Sequence, residues 1–360
     1  METSDIPTVT LSEAKTLISC LAHKQSILLL SAPGVGKSDI VRQAANEAGL
    51  ECKSLLGTQI APEDVSGIPR IVGERSVFCP PRILLPEDPK PFCLFLDELP
   101  ACSPDIQKAF YSLLLERRLG EHKLPEGTWV VAAGNRAEDR SLVRTLSAAL
   151  VNRVLILQVK VDVHEWVAWA YKAGVRSDII SYILFNPAAL QREIPALPVP
   201  FSTPRAWASL ARSLDLVKKK GKLNQKLLET MAYGCVSAED AAMYAAFTNV
   251  STDNRAIMDI MNDIEKLPSR DDETKAVNRN AILQSIHNLV LSKLLDKDFM
   301  KVDGVKIKTC FTKENVCRFL KVLSAEERVM MLLGCVETWG RLGADKVILD
   351  EYKKLVGALL

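Results

Sequence analysis

With 360 residues the chain is long enough to bury a full hydrophobic core, and its length predicts two or three domains. The proportions of hydrophobic residues, 48%, and of charged residues, 25%, are those of an ordinary globular protein. The formal net charge of +2 excludes a strongly basic protein that holds nucleic acid or anionic lipid by bulk electrostatics.

Membrane insertion and secretion are not indicated by the sequence. No apolar stretch is long enough to span a bilayer, and the first five residues lack a basic region followed by an apolar one. The nine cysteines are odd in number and form no Cys-x-x-Cys pair. Such a pattern favours reduced structural thiols over disulfides or a metal site. We therefore expect a cytoplasmic protein.

The first 160 residues alternate between strand and helix patterns in chain order. We predict strands over 26–30, 51–56, 92–96, 129–133 and 154–158. Helices are predicted over 37–48, 104–117 and 142–151. Two predicted hairpins, 68–78 and 118–124, interrupt the pattern. Alternation of this kind predicts a three-layer α/β fold with a parallel sheet, whose ligand lies at the carboxyl ends of the strands.

The remainder of the chain reads as mostly helical. No further parallel strand is predicted after residue 161, and a small hairpin is predicted over 300–308. We predict three domains: an α/β core with two hairpin insertions (1–160), a helical domain (161–250) and a mostly helical C-terminal region (251–360).

A glycine-containing segment follows the first predicted strand and leads into the first predicted helix. In a phosphate-binding loop, glycines let backbone N–H groups turn toward the phosphates, a lysine reaches the β- and γ-phosphates, and the next hydroxyl binds Mg²⁺. A simple glycine turn between core elements would leave the Lys37-Ser38 pair unexplained. The usual first glycine of the motif is Ser31 here, so the entrance of the loop has to tolerate a side chain. The predicted nucleotide site comprises Ala32, Pro33, Gly34, Val35, Gly36, Lys37 and Ser38.

A pair of carboxylates follows the predicted strand 92–96. Asp97 is predicted to complete the magnesium shell with Ser38, and Glu98 to deprotonate an attacking water. An exposed acidic pair at a strand end is the alternative. Beside a phosphate loop, however, a second carboxylate favours hydrolysis of the nucleotide over transfer of its phosphate to another acceptor.

With these elements in position, the chain resembles the MoxR-like branch of the AAA+ ATPases over about residues 5–215. The resemblance implies a P-loop AAA+ core followed by an all-helical lid. It also implies ATP and Mg²⁺ as ligands. The blocks that carry it are 31–38, 63–69, 79–81, 96–101, 132–136, 149–153 and 203–205.

The resemblance also implies roles for polar residues outside the loop. Asn135 would be the sensor that orients the attacking water, and Arg205 a second sensor that couples the lid to the nucleotide. Arg153 would be the arginine finger donated to the γ-phosphate of a neighbouring subunit. Arg144 and Arg136 compete for that role.

By the same resemblance we expect a homo-oligomeric ring, most simply a hexamer, that remodels or matures a protein client. Such ATPases are commonly paired with a protein that carries a von Willebrand factor A-type domain. A nucleic-acid motor is the first alternative, although the near-neutral charge argues against it. A slow nucleotide-gated binding switch is the second alternative.

Overall fold

The computed structural model describes residues 6–82, 84–119, 121–136, 139, 146, 148–249, 254–270, 273–291, 295 and 301–359. The chain divides into two compact units, Met1–Asp162 and Val163–Leu360. Each unit is described by itself, and the predicted division of the second one at residue 250 stays a prediction.

A parallel sheet forms the centre of the first unit. The strands of this unit, in chain order, are β1 (Thr8–Val9), β2 (Ile27–Leu30), β3 (Glu51–Leu56), β4 (Ile68–Val72), β5 (Arg75–Cys79), β6 (Phe92–Asp97), β7 (Arg118–Leu119), β8 (His122–Lys123), β9 (Trp129–Gly134) and β10 (Leu155–Val159). In spatial order the described strands of the sheet are β1, β10, β2, β9, β6 and β3, and every neighbouring pair is parallel.

Helices cover both faces of this sheet. Side chains on a strand alternate between faces, and the strand residues accordingly divide between two apolar clusters. One cluster joins Leu28 to Phe110, and the other joins Leu29 to Val41. The three-layer α/β fold class is therefore confirmed. The helices of this unit are α1 (Leu11–Leu21), α2 (Lys37–Glu47), α3 (Glu63–Ser66), α4 (Pro104–Tyr111) and α5 (Ala148–Val151).

The predicted helix over 104–117 is wrong in its second half. After α4 the chain forms a π-helical turn over Ser112–Glu116, and Arg117 adopts a left-handed conformation with φ 54°. The Ser26 hydroxyl donates a hydrogen bond of 2.6 Å to the Leu114 carbonyl. Because of this tertiary contact, the Leu114 carbonyl accepts a hydrogen bond from outside the helix. Of the predicted helix 142–151, residues 142–145 and 147 lie outside the described part of the chain.

Both predicted hairpins of the first unit are confirmed. Strands β4 and β5 pair antiparallel, and so do the two-residue strands β7 and β8. The imidazole Nε2 of His122 lies 2.8 Å from the carbonyl oxygen of Phe78, so the two hairpins are in direct contact. In the first hairpin, the side chain of Ile71 is 80% exposed to solvent.

The second unit is helical apart from one small hairpin among its described residues. Trp207, Tyr182 and Tyr244 pack ring against ring in its first half, and Phe319 stacks on Trp339 in its second half. No helix in the described part of the chain is both long and apolar enough to cross a membrane. The helices and strands of the second unit are α6 (Val163–Lys172), α7 (Ser177–Phe185), α8 (Pro204–Lys219), α9 (Gln225–Tyr233), α10 (Ala238–Asn249), α11 (Asn254–Asn262), α12 (Glu273–Leu291), β11 (Lys301–Val302), β12 (Val305–Lys306), α13 (Lys313–Val322), α14 (Ala325–Leu332), α15 (Val336–Arg341) and α16 (Lys346–Leu359).

Candidate nucleotide site

Three adjacent strands bring the predicted site residues to one edge of the sheet. Strand β9 lies between β2 and β6. Its pairing aligns Gly134 with Leu30, and Ala132 with Leu96, so the three strands end at nearly the same level. The loop after β2, Asp97 at the end of β6 and Asn135 after β9 therefore share this carboxyl edge.

The loop between β2 and α2 depends on its two glycines. Gly34 has φ 78° and Gly36 has φ 113°, backbone conformations that residues with a Cβ atom rarely adopt. Ala32 and Val35 bury their side chains in the apolar cluster beneath α2, so they contribute to the loop surface through their backbones. Gly36 is the N-cap of α2 and makes no side-chain capping bond. The first N–H groups of an α-helix have no acceptor within the helix, and those of α2 can donate hydrogen bonds to an anion such as phosphate.

Lys37 is only 8% exposed, and its ammonium group is held by its own loop. The Nζ atom donates to the Ser31 hydroxyl at 2.9 Å, to the Ser31 carbonyl at 3.1 Å and to the Ala32 carbonyl at 3.2 Å. It also lies 3.4 Å from Oδ1 of Asn135, which links the loop to the residue after β9. Ser31, which replaces the usual glycine, thus supplies an acceptor for the lysine. Sequence reasoning anticipated that its side chain is tolerated but not that it is used.

Ser38 and Asp97 come together as predicted for a magnesium site. The Ser38 hydroxyl donates to Oδ2 of Asp97 at 3.0 Å. Mg²⁺ prefers oxygen ligands and is usually held by one or two carboxylates together with substrate phosphates and waters. The hydroxyl and carboxylate oxygens fit that ion. Within the described residues no group of three or more His, Cys, Asp or Glu side chains forms a separate metal cluster.

Glu98 occupies a strained turn directly after Asp97. Its φ is 58°, in the left-handed region, and its N–H donates to Oδ1 of Asp97 at 3.0 Å. The Thr58 hydroxyl donates to Oε2 of Glu98 at 2.7 Å. Thr58 was missed by sequence reasoning. The only signal for it was its position just after strand β3, because nothing in the sequence pairs β3 with β6.

Two glycines make room for the turn that carries Glu98. A Cβ atom on Gly57 would lie 2.2 Å from Sγ of Cys102, and one on Gly134 would lie 2.1 Å from Cδ of Pro100. The N–H of Gly57 also donates to the Asp97 carbonyl at 3.0 Å. Gly57 follows β3 and Gly134 ends β9, the two strands on either side of β6, so the glycines restrict the turn from both sides.

Three of the four arginines with a predicted role lie in the described part of the chain, and their surroundings differ. Arg153 is exposed, and no carboxylate in the described part of the chain forms an ion pair with it. Arg136 makes a two-pronged ion pair with buried Asp139, at 3.0 Å from Nε and 2.7 Å from Nη2. Arg144 lies outside the described residues. Arg205 is exposed in the first turn of α8, in the second unit.

Comparison with known proteins agrees with this architecture. Residues 26–155 match the family described as AAA domain (dynein-related subfamily). The match and the parallel sheet together confirm the predicted P-loop AAA+ fold class for this part of the chain. No curated protein sequence is a significant match to the chain.

Solved structures of RuvB from Thermotoga maritima also align with the chain. One, described as a Holliday junction branch migration motor, shares 14% identity over 82% of this chain and 84% of its own, with a TM-score of 0.39. A point variant of that protein aligns over the same shares with 15% identity and a TM-score of 0.40. Similarity at this level carries no argument about activity or partner.

Proposed function

We propose that the chain is a Mg²⁺-dependent AAA+ ATPase that hydrolyses ATP to ADP and phosphate. The observation that carries this proposal is the convergence of Lys37, the Ser38–Asp97 pair and Glu98 at one edge of a parallel sheet. When bound, Mg²⁺ would neutralise charge on the phosphates and be held by Ser38 and Asp97.

Side chains of the protein would bind the phosphates, orient the attacking water and accept its proton. Lys37 would exchange its contacts in the loop for oxygens of the β- and γ-phosphates. Glu98 would accept a proton from the attacking water at one of its carboxylate oxygens, and Asn135 would orient that water. A strained backbone at Glu98 is typical of a residue held for function, since the surrounding structure has to maintain it.

At the finer level we propose a MoxR-like ring ATPase, most simply a hexamer, that remodels a protein client. The proposed pairing with a von Willebrand factor A-type partner rests on the same sequence resemblance. A nucleic-acid motor and a slow nucleotide-gated switch are the alternatives. Stimulation of hydrolysis by DNA but by no protein would favour the motor, and a turnover too slow to sustain work would favour the switch.

In the proposed ring, each site borrows a cation from the next subunit. Arg153 is the leading candidate because it is exposed and has no ionic partner among the described residues, whereas Arg136 is occupied by Asp139. Arg205 would act separately, as the sensor of the helical region. The proposal therefore predicts that two different inactive variants complement one another.

The experiment mixes Lys37→Ala, with a defective pocket and an intact finger, and Arg153→Ala, with an intact pocket and no finger. Each variant alone should be nearly inactive. Mixed under assembling conditions they should regain part of the ATPase activity, because an Arg153→Ala pocket then lies beside a Lys37→Ala neighbour. If native mass spectrometry detects mixed rings and activity stays absent, Arg153 does not act between subunits.

A further inference from the structure

Cys52 and Cys93 form a thiol pair that the proposed ATPase chemistry does not use. They lie directly opposite each other in the neighbouring parallel strands β3 and β6. Side chains opposite each other in a sheet project from the same face, and both cysteines pack in the apolar cluster beneath α2. Neighbouring strands lie about 4.8 Å apart, within the Cα separation of about 4.4–6.8 Å that a disulfide spans.

The two thiols differ in their access to solvent. Strand β3 is the last strand of the described sheet, and Cys52 is half-buried on it. Cys93 lies one strand further in and has no exposed surface. A small oxidant from solvent therefore reaches Cys52 first, and Cys93 reacts through Cys52.

The surroundings also favour Cys52 as the nucleophile. A hydrogen bond from the Cys93 thiol lowers the pKa of Cys52 against the opposing effect of burial, and the Arg42 guanidinium on α2 lowers it further. The same hydrogen bond and burial raise the pKa of Cys93. The thiolate is the reactive form of cysteine, so the negative charge is favoured on the accessible member of the pair.

We propose that Cys52 is a peroxide-reactive thiol and that Cys93 converts its oxidised form into a disulfide between β3 and β6. The Cys52 thiolate attacks one oxygen of a hydroperoxide: an S–O bond forms, the O–O bond breaks, and hydroxide or alkoxide leaves. The sulfur of Cys93 then attacks the sulfur of the Cys52 sulfenic acid. The S–S bond forms, the S–O bond breaks, and the hydroxyl group leaves as water with the Cys93 proton. Two electrons pass in total from the thiols to the peroxide.

The test uses the reduced full-length wild-type chain and hydrogen peroxide below one equivalent. After unfolding in an alkylating agent, peptide mass spectrometry gives the state of each cysteine. We expect a cross-linked peptide pair containing Cys52 and Cys93, formed at least about tenfold faster than oxidation of the exposed thiols Cys20 and Cys79. Oxidation of Cys20 or Cys79 ahead of Cys52 would overturn the proposal.

Two variants separate the roles within the pair. Cys93→Ala should oxidise at Cys52 but stop at the sulfenic acid, which dimedone traps. Cys52→Ser should leave Cys93 reduced, because Cys93 is buried. A wild-type chain that accumulates the dimedone adduct without the disulfide would refute the role of Cys93. The wild-type experiment decides the matter even if a variant fails to fold.

Discussion

The two edges of the central sheet use polar side chains in different ways. At the edge where the strands begin, the half-buried guanidinium of Arg117 donates to two backbone carbonyls. Its Nη1 donates to the Thr128 carbonyl at 2.5 Å, and its Nη2 donates to the Ala22 carbonyl at 2.7 Å. These acceptors belong to different elements, so the guanidinium ties the end of α1 to the start of β9. Burial also lowers the pKa of Arg117.

At the edge where the strands end, the polar side chains hydrogen-bond mainly to one another. Ser38 pairs with Asp97, and Thr58 pairs with Glu98, side chain to side chain. The acceptors of Lys37 lie in its own loop or on Asn135. These hydroxyl, carboxylate and ammonium groups converge at one edge of the sheet, where phosphate oxygens and Mg²⁺ could take over their contacts. The two cations therefore differ in their partners: Arg117 holds two backbone segments together, whereas Lys37 lies in the predicted phosphate loop, where we propose that a ligand replaces its partners.

The largest expected effect at the carboxyl edge is that of Lys37→Ala on nucleotide binding. Loss of the ammonium group removes several charge-assisted contacts to phosphate, which should weaken ATP binding by about a hundredfold or more. The variant should stay folded, because the lysine contacts its own loop and Asn135 and contributes nothing to the apolar core. Calorimetric titration with ATP measures the affinity, and Lys108→Ala, an exposed lysine on α4, is the control. Wild-type affinity in Lys37→Ala would refute the assignment of the loop.

At the opposite edge, Arg117→Met should reduce stability and leave nucleotide affinity unchanged. Two buried carbonyls lose their charged donor, at a cost of about 2–4 kcal/mol in the free energy of unfolding. Urea unfolding measures this cost. The neighbouring Arg118→Met is the matched control, since the side-chain hydrogen bond that Arg118 makes within the described residues goes to the exposed Glu121 carbonyl. If both variants are equally stable, the structural role assigned to Arg117 is wrong.

A smaller effect is expected where the fold supports the Glu98 turn. Gly57→Ala brings a carbon within 2.2 Å of Sγ of Cys102 and should cost about 1–3 kcal/mol, with slower hydrolysis. Adding Cys102→Ala removes the clashing sulfur, so the double variant should recover at least about 1 kcal/mol relative to additivity. Gly234→Ala, whose new carbon would meet nothing closer than 3.5 Å, is the control. Strict additivity would show that the two sites are not coupled.

Sequence patterns predicted the regular elements of the first unit well because each has a strong local signal. The predicted strand over 51–56 has the bounds of β3, and strand 92–96 falls one residue short of β6. Strand β1 was missed because two residues carry no periodicity, and its pairing with β10 is a tertiary contact. The π-helical turn was missed for a similar reason, since the hydrogen bond from Ser26 crosses 88 positions of the chain.

In the candidate site, too, the residues of local motifs were predictable from the sequence, and the tertiary contacts were not. Lys37, Ser38 and Asp97 belong to segments whose spacing indicates their chemistry. The contacts of Thr58 and Ser31 were not predictable, since they depend on which strands are neighbours and on where the lysine side chain turns. The roles of Asn135, Arg153 and Arg205, and the division into three domains, remain predictions.

We propose that Glu98 serves hydrolysis and not binding, and three variants of the chain separate these roles. ATP affinity and single-turnover hydrolysis are measured for three proteins: the wild type, Glu98→Gln and Glu126→Gln, a control at an exposed position. The amide keeps the size of the side chain but cannot act as the base, so Glu98→Gln should bind ATP within about threefold of wild type. It should hydrolyse ATP about 10²–10⁴ times more slowly, while Glu126→Gln behaves as wild type. Undiminished hydrolysis by Glu98→Gln would contradict the account.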